Sequence, residues 1–305
     1  MSSLRIGRQR VELSSIDKLL FADDGISKGD LIDYYRRVSR HLLRHARNRP
    51  LTLHRFPDGI DENGFYQQQI SDYFPDWIQT CITPRAGDRR VKVEHALCNN
   101  EATLVYLANQ ATITLHGWNT RAPRIEYPDQ MVFDLDPPGR NFQAVRRAAR
   151  GVAELMQSLG MNPYAMTTGS RGLHVVAPLR PETGFETVRE IARRMAERLA
   201  GRNDDELTTE QRKNKRAGRL YLDMSRNAYG QTRVLPYAVR ALAGAPVATP
   251  IELAELDDAS LEPGKWRIDN LFRRLGQVGD PWSDFKRRAT SIETARRALN
   301  KIGRR

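Results

Sequence analysis

The sequence has little cysteine and no long apolar segment. Only Cys81 and Cys98 occur among its 305 residues, and neither has the spacing of a zinc ligand pair. We therefore expect no structural zinc, no disulfide framework and a reducing compartment. No apolar run is long enough to cross a bilayer, and the N-terminal residues lack the apolar core of a signal peptide. These absences predict a cytoplasmic protein without a membrane partner.

Acidic residues are also outnumbered. The chain has 49 Lys and Arg against 37 Asp and Glu, which gives a formal net charge of +12. Such an excess is typical of proteins that bind a polyanion, so nucleic acid is the expected partner. Many basic proteins merely carry solvated Lys and Arg, and composition alone leaves that alternative open.

Helical and strand-like patterns interleave along the chain, which predicts an α+β (mixed α/β) fold in one domain. A capping box of Ser27 and Asp30 precedes the first predicted helix, and Gly160 ends the second. Apolar spacing predicts helices over 28–46, 142–160 and 185–200. Strands are predicted over 51–56, 111–118, 130–136 and 219–223, with two more inside 164–179 and a hairpin linking 51–56 to the segment after residue 64.

The segment VFDLD brings two carboxylates to one place. The period of a strand puts Asp134 and Asp136 on one face, while Phe133 and Leu135 face the core. The two prolines that follow cannot continue a central strand, so the acids stand at its end. Close carboxylates repel, and a hard cation such as Mg²⁺ or Mn²⁺ relieves that repulsion. Taken alone, the motif fits an acidic strand end that binds nothing better than it fits a metal site.

A third acid repeats the arrangement. Asp223 ends the segment RLYLD, where Tyr221 and Asp223 face one way and two leucines face the other. Three acids at strand ends predict a divalent-metal site. The Gly-rich segment TTGSRGLHVV adds Arg171 and His174, which could hold triphosphate oxygens, although a plain hairpin with a core histidine gives the same pattern.

The chain resembles the polymerase domain of bacterial DNA ligase D, a member of the archaeo-eukaryotic primase superfamily. The resemblance runs from about residue 11 to residue 285 and is carried by six motifs in order: RPLTLHRFPDG, GFYQQQ, LHGWN, FDLDPP, TTGSRGLHVVAPL and YLDMSRN. It implies a primase-like polymerase fold with largely antiparallel central sheets flanked by helices. It also implies a domain over 1–286, with end and template contacts in 1–110 and catalysis in 111–286, before a basic helical tail over 287–305.

The family resemblance implies a function. Its members extend a primer on a template with NTPs or dNTPs, fill short gaps at double-strand breaks, and act in non-homologous end joining with Ku. For this chain it implies two Mn²⁺ or Mg²⁺ ions, a 5′-phosphorylated DNA end or gap as substrate, and a separate DNA ligase as partner. We expect a monomer that acts on the bacterial nucleoid.

The resemblance also assigns roles to individual residues. Asp134, Asp136 and Asp223 match the catalytic, metal-binding acids. The residues at nucleotide-binding positions are His116, Thr168, Ser170, Arg171, His174 and Arg240. Lys18 and Lys28 match positions that capture the 5′-phosphate, Phe65 and Tyr66 match an aromatic pair that stacks on the template base, and Arg55 is a further DNA or nucleotide contact.

Each of these roles has a structural alternative. The lysines could be solvated surface charges, the aromatic pair could be core, and Arg240 could belong to a structural ion pair. The basic loop over 211–219 could follow a phosphate backbone or merely be soluble.

The chain departs from the family at four positions. Thr168 and Arg171 stand where Ser and Lys are usual, Arg226 where Gln is common, and Gln68 where Lys is usual. Sugar preference and 5′-phosphate affinity therefore stay open.

Two other classes of function remain. A non-catalytic module that bridges DNA ends would also need the positive charge, and a metal-dependent nuclease would also need paired carboxylates.

Overall fold

A computed structural model describes residues 2–139 and 141–302. Its helices are α1 (Lys28–Ala46), α2 (Glu101–Asn109), α3 (Phe142–Ser158), α4 (Phe185–Ala200), α5 (Leu271–Val278) and α6 (Ile292–Ile302). Its first eight strands are β1 (Ser2–Ile6), β2 (Gln9–Leu13), β3 (Leu19–Phe21), β4 (Ile26–Ser27), β5 (Leu51–Arg55), β6 (Phe65–Gln67), β7 (Thr80–Arg85) and β8 (Asp88–Ala96). The other eight are β9 (Thr112–Trp118), β10 (Gln130–Leu135), β11 (Tyr164–Thr167), β12 (Leu173–Pro178), β13 (Leu207–Thr208), β14 (Leu220–Tyr221), β15 (Thr232–Val234) and β16 (Thr249–Ile251).

The described chain separates into two compact units. Unit 1 comprises Met1–Pro123, Thr232–Ala248 and Trp266–Gln277, and unit 2 comprises Arg124–Gln231, Thr249–Lys265 and Val278–Arg305. The predicted division after residue 110 falls inside unit 1, between α2 and β9. That point is not a border between the units because β9 pairs with β5 in the sheet of unit 1.

Unit 1 is built on an antiparallel sheet in the order β15-β9-β5-β6. The capping box of α1 forms as the sequence predicts: Ser27 Oγ accepts from Asp30 N at 3.1 Å, and Asp30 Oδ2 accepts from Ser27 N at 2.8 Å. Tyr35 ties this helix to the sheet, since its hydroxyl donates to Ile113 O at 2.6 Å. Helix α2 packs against α1 and β9. Helices α1 and α2 thus lie against the sheet at β9.

Unit 2 is built on an antiparallel sheet in the order β10-β12-β11-β16. Phe133 and Leu135 of β10 are buried in one apolar cluster with Val152 of α3 and Ile191 of α4. Leu299 of α6 joins the same cluster. The tail predicted over 287–305 therefore contributes a core helix over 292–302, while residues 303–305 lie outside the described residues.

The predicted α+β class with largely antiparallel sheets is confirmed. The predicted strand over 219–223 is too long. Only Leu220–Tyr221 forms a strand, β14, which pairs in parallel with β13, and Asp223 makes an isolated bridge with Asp134 instead. None of the described helices is long and apolar enough to span a bilayer.

Candidate active site

The end of β10 presents the two carboxylates as its periodicity predicts. Phe133 and Leu135 are buried in the core, Asp134 is partly buried and Asp136 is exposed. Strand β10 ends at Leu135, directly before Asp136. The acids therefore stand where the strand leaves the sheet and opens to solvent.

Asp223 reaches the same place by a backbone bridge. Asp134 N donates to Asp223 O at 2.9 Å, which sets this residue antiparallel to β10. A single turn of 3-10 helix, Ser225–Asn227, follows. Asp223 Oδ1 accepts from Ser225 N at 2.7 Å, so the carboxylate lies against the start of that turn.

The three acids line one cavity of about 370 Å³ in unit 2. Basic side chains and one tyrosine line the same cavity, so its wall is largely polar. Its other lining residues are Pro137, Pro138, Arg171, Lys213, Arg216, Gly218, Tyr221 and Arg226. A cavity in which carboxylates face guanidinium and ammonium groups has the charges needed to hold both cations and phosphates.

Basic side chains lie against both carboxylates of the DLD motif. Asp134 Oδ2 lies 3.1 Å from Arg226 Nε, and its Oδ1 lies 3.4 Å from His174 Nε2. His174 stands directly opposite Asp134 in the register of β10 and β12. Asp136 Oδ2 lies 3.3 Å from Arg171, whose side chain is 67% exposed.

These neighbours shift the two carboxyl groups in opposite directions. Burial raises the pKa of Asp134, but the charges and hydrogen bonds of His174 and Arg226 outweigh burial and hold that pKa well below its usual value. Burial and the charge of Asp134 raise the pKa of Asp136, and Arg171 offsets this only in part. Asp134 is thus held ionised, while Asp136 responds to the negative charge beside it.

The donor set fits a hard divalent ion. Three carboxylates on one cavity supply the oxygen ligands that Mg²⁺ and Mn²⁺ prefer. Within residues 2–139 and 141–302, no three His, Cys, Asp or Glu side chains lie close enough together to form a metal site as they stand. Two of these carboxylates pair with guanidinium groups instead, Asp134 with Arg226 and Asp136 with Arg171.

The Gly-rich turn joins β11 to β12 beside the acids. Thr168 N donates to Gly172 O at 3.0 Å, and Thr168 Oγ1 accepts from Gly172 N at 3.2 Å, so the buried hydroxyl closes the turn. Gly169 has a positive φ of 66°. A Cβ at Gly172 would overlap Leu135 O and Asp136 Oδ1. Of the predicted phosphate ligands here, Arg171 lines the cavity, His174 is buried against Asp134, and Ser170 is partly buried.

In unit 1, the two predicted 5′-phosphate ligands lie near one another. Lys28 N donates to Lys18 O at 2.8 Å, and burial together with the charge of Lys18 lowers the pKa of Lys28. Lys28 is buried rather than a solvated surface charge. Lys18 Nζ pairs with Asp58 Oδ1 at 2.6 Å in an exposed position. The two lysines are therefore near enough for the charge of one to act on the other.

The predicted template-stacking pair is on the surface of unit 1. Phe65 is 45% and Tyr66 is 63% exposed, which excludes the core alternative. The ring of Tyr66 stacks on His54 with centroids 4.0 Å apart. The guanidinium of Arg55 lies 5.4 Å from the centroid of Phe65 and donates to Gln110 O at 2.9 Å. Arg55 is therefore buried beside the ring of Phe65, and its role as a DNA or nucleotide contact stays a prediction.

His116 and Arg240 also belong to unit 1. His116 lies on β9, and its ring centroid is 5.8 Å from that of Tyr66. Burial and the charge of Arg240 lower the pKa of His54, so Arg240 is close to that ring. Sequence reasoning missed His54, although alternation in LTLHRF puts it on the same face as Thr52, which is the register partner of His116.

Comparison with known proteins identifies the family. The family model of the LigD primase-polymerase domain matches residues 27–282 of this sequence. This chain belongs to that family. It is 32% identical over 281 residues to the bifunctional non-homologous end joining protein LigD of Bacillus subtilis. This alignment covers 91% of this chain and 44% of the Bacillus protein. The chain is 30% identical over 282 residues to the LigD of Mycobacterium tuberculosis, at 89% and 36% coverage.

A solved LigD structure shares the fold. The polymerase domain of Mycobacterium tuberculosis ligase D in complex with DNA superposes with a TM-score of 0.86 at 29% identity, over 92% of this chain and all of that one. The resemblance seen in the motifs is thereby confirmed. The chain spans less than half the length of the LigD relatives that it matches.

Two structural contacts of this LigD-type site were not foreseen. Arg226 was noted only as a departure from a common Gln, yet it pairs with Asp134. Asn227 is buried and makes two hydrogen bonds to the backbone of β10. Its Nδ2 donates to Val132 O at 2.7 Å, and its Oδ1 accepts from Val132 N at 2.8 Å. The only sequence signal for either contact is their place within YLDMSRN.

Proposed function

We propose that this chain is a template-dependent primase-polymerase, which adds NTPs or dNTPs to a primer 3′-hydroxyl and fills short gaps at double-strand breaks in non-homologous end joining. One observation carries the proposal: Asp134, Asp136 and Asp223 line a single cavity together with basic side chains. Carboxylates and cations on one wall are the groups that phosphoryl transfer requires.

The residues of unit 2 have distinct tasks in this proposal. The three carboxylates hold Mn²⁺ or Mg²⁺, two ions in all. When bound, these ions would activate the 3′-hydroxyl and neutralise charge on the leaving pyrophosphate. His174 donates to Asp134 and keeps that carboxylate oriented. Arg171, exposed at the cavity, binds phosphate oxygens in place of the usual Lys, and its planar fork can contact two of them.

The residues of unit 1 serve the DNA and the incoming nucleotide in this proposal. Lys18 and Lys28 bind the 5′-phosphate across a gap, and the exposed rings of Phe65 and Tyr66 stack on a template base without regard to sequence. His116 and Arg240 contact the nucleotide. The partners proposed with this role are 5′-phosphorylated DNA, Ku and a separate DNA ligase that seals the product.

Primer extension on a gapped duplex tests this function. A duplex with a short gap, a labelled primer and a downstream 5′-phosphate is incubated with NTPs or dNTPs and Mn²⁺, and parallel samples contain EDTA. The proposal predicts that the primer lengthens by the size of the gap, according to the template, and that EDTA abolishes the reaction. Absence of extension at every metal and nucleotide concentration would contradict it.

The same assay separates the other two classes. A non-catalytic end-bridging module would bind the gap in EDTA and in Mn²⁺ alike and leave the primer unchanged. A nuclease would shorten the primer in the presence of metal. The presence of basic groups on the carboxylate-lined cavity favours nucleotidyl transfer from a triphosphate to the primer 3′-hydroxyl, because these groups match the charge of a triphosphate.

A further inference from the structure

The segment after Asp223 holds a guanidinium against the innermost carboxylate of the site. Asn227 anchors this segment, because its side chain makes two hydrogen bonds to the backbone of Val132, at 2.7 and 2.8 Å. Val132 lies two residues before Asp134 on the same strand. The anchored turn, Ser225–Asn227, therefore presents Arg226 to Asp134 from a fixed backbone position.

The ion pair formed by Arg226 takes up one of the two oxygens of Asp134. Arg226 Nε lies 3.1 Å from Asp134 Oδ2, while His174 Nε2 faces Oδ1 at 3.4 Å. The side chain of Asp134 is only 14% exposed. An ion pair on a carboxylate this shielded from water is stronger than a surface pair.

The comparable pair on Asp136 differs in its setting. Arg171 is 67% exposed and Asp136 is 47% exposed, so solvent screens their attraction and the pair opens at little cost. The carboxylate of Asp136 is thus readily available to a metal ion, whereas Asp134 is held in a less exposed pair, in which Arg226 is 38% and Asp134 is 14% exposed.

We propose that Arg226 is a resident cation of the metal site, which competes with the divalent ion for Asp134 and weakens metal binding in the nucleotide-free protein. This inference rests on the proposed function, in which Asp134 is a metal ligand. A guanidinium and a metal ion cannot use the same oxygen lone pairs, and their positive charges repel across the short distance that remains. The ion therefore binds Asp134 more weakly while Arg226 stays paired with it, and more tightly once Arg226 moves away within the cavity that it lines.

A metal titration without substrate tests the inference. Mn²⁺ binding to the nucleotide-free chain is measured by electron paramagnetic resonance of the free ion, for the wild type and for Arg226→Gln. We expect Arg226→Gln to bind Mn²⁺ about tenfold more tightly, because the competing charge-assisted hydrogen bond is gone. The matched control is Lys213→Gln, which removes one positive charge from the same cavity at an exposed position and is expected to change affinity by about twofold or less.

A thermal measurement separates competition from a purely structural role. In EDTA, Arg226→Gln should unfold at a lower temperature than the wild type, because Asp134 loses its partner. Saturating Mn²⁺ should raise the unfolding temperature of Arg226→Gln more than that of the wild type. A residue that only supports the fold would lower both temperatures equally and leave Mn²⁺ affinity unchanged.

The possible failures are distinguishable. If Arg226→Gln binds Mn²⁺ no more tightly than the wild type, while Asp134→Asn loses binding, then Arg226 is not a competitor and the metal site stands. If neither the wild type nor Arg226→Gln shows saturable binding, the metal site itself is refuted, and the proposed function with it.

Discussion

At the scale of single residues, the pKa of each site carboxylate is set by the balance between burial and the charges of its neighbours. Burial raises the pKa of both Asp134 and Asp136, yet only Asp134 ends below its usual value, because His174 and Arg226 together outweigh the effect of burial. Asp136 has one exposed partner and the negative charge of Asp134 beside it. Two acids only two residues apart at the end of β10 thus have unlike protonation behaviour.

The carboxylate of Asp284, outside the cavity, gives a prediction on stability. Tyr164 Oη donates to Asp284 Oδ1 at 2.7 Å, and this hydrogen bond, aided by Arg288 and opposed by burial, lowers the pKa of Asp284. Because the folded-state pKa is depressed, the stabilisation is present above the unfolded pKa of about 4 and is lost as pH falls through the folded value. We expect Tyr164→Phe to lower the unfolding temperature at pH 7 by about 2 °C.

Thermal unfolding followed by circular dichroism over a series of pH values measures this effect. The difference between the wild type and Tyr164→Phe should shrink as the solution is acidified. A difference that is constant or grows toward acid pH would show that the hydrogen bond to an ionised Asp284 is not its cause.

At the scale of elements, the turn between β11 and β12 sets the position of β10's last residues. Gly172 lies so close to Leu135 O and Asp136 Oδ1 that any Cβ must displace them. We expect Gly172→Ala to destabilise the protein by about 2 kcal/mol and to reduce primer extension strongly, because it moves Asp136. Denaturant unfolding and extension rates measure the two effects.

The matched control is Gly139→Ala. A Cβ at Gly139 meets nothing within 4 Å, although this glycine follows the same DLDPP motif. Near wild-type stability is expected for the control. Equal stability of both variants would mean that the turn tolerates a methyl group and that the close approach is not a constraint.

Elements with local end signals were predictable, and others were not. Ser27 and Asp30 at the start of α1, and Gly160 after α3, fix those helices from within a few residues, so sequence alone gives their ends. Helix α2 was missed because it is buried on nearly every side and so has no apolar face to give a period.

The site was predictable only in part for a similar reason. Strand periodicity places Asp134 and Asp136 correctly. The pairing of His174 with Asp134 depends on strand register, and the approach of Asp223 depends on a bridge that lies outside any strand. Both are contacts between residues distant in sequence, which no local pattern encodes.

At the scale of the whole molecule, the net charge of +12 supports attraction to DNA, but specific ends need specific groups. The adjacent Lys18 and Lys28 of unit 1 are those groups in the proposal. We expect Lys28→Ala to weaken binding of a 5′-phosphorylated gap by about tenfold and to abolish the preference for phosphate over hydroxyl. Fluorescence anisotropy with the two gapped duplexes measures both quantities.

Lys301→Ala on α6 removes an exposed lysine elsewhere and controls for net charge. It should weaken both duplexes slightly and equally. If Lys28→Ala behaves like Lys301→Ala, the two lysines are not a 5′-phosphate site.

The proposed polymerase site is tested most directly by comparing Asp136→Asn with the wild type in two assays on one gapped, 5′-phosphorylated duplex. Asp136 is central because it lines the cavity with the other two acids and lies at the exposed end of β10. We expect Asp136→Asn to bind the duplex with an affinity within about twofold of the wild type. Its rate of primer extension with Mn²⁺ should fall at least about a hundredfold. Extension by Asp136→Asn at the wild-type rate would contradict the proposed site.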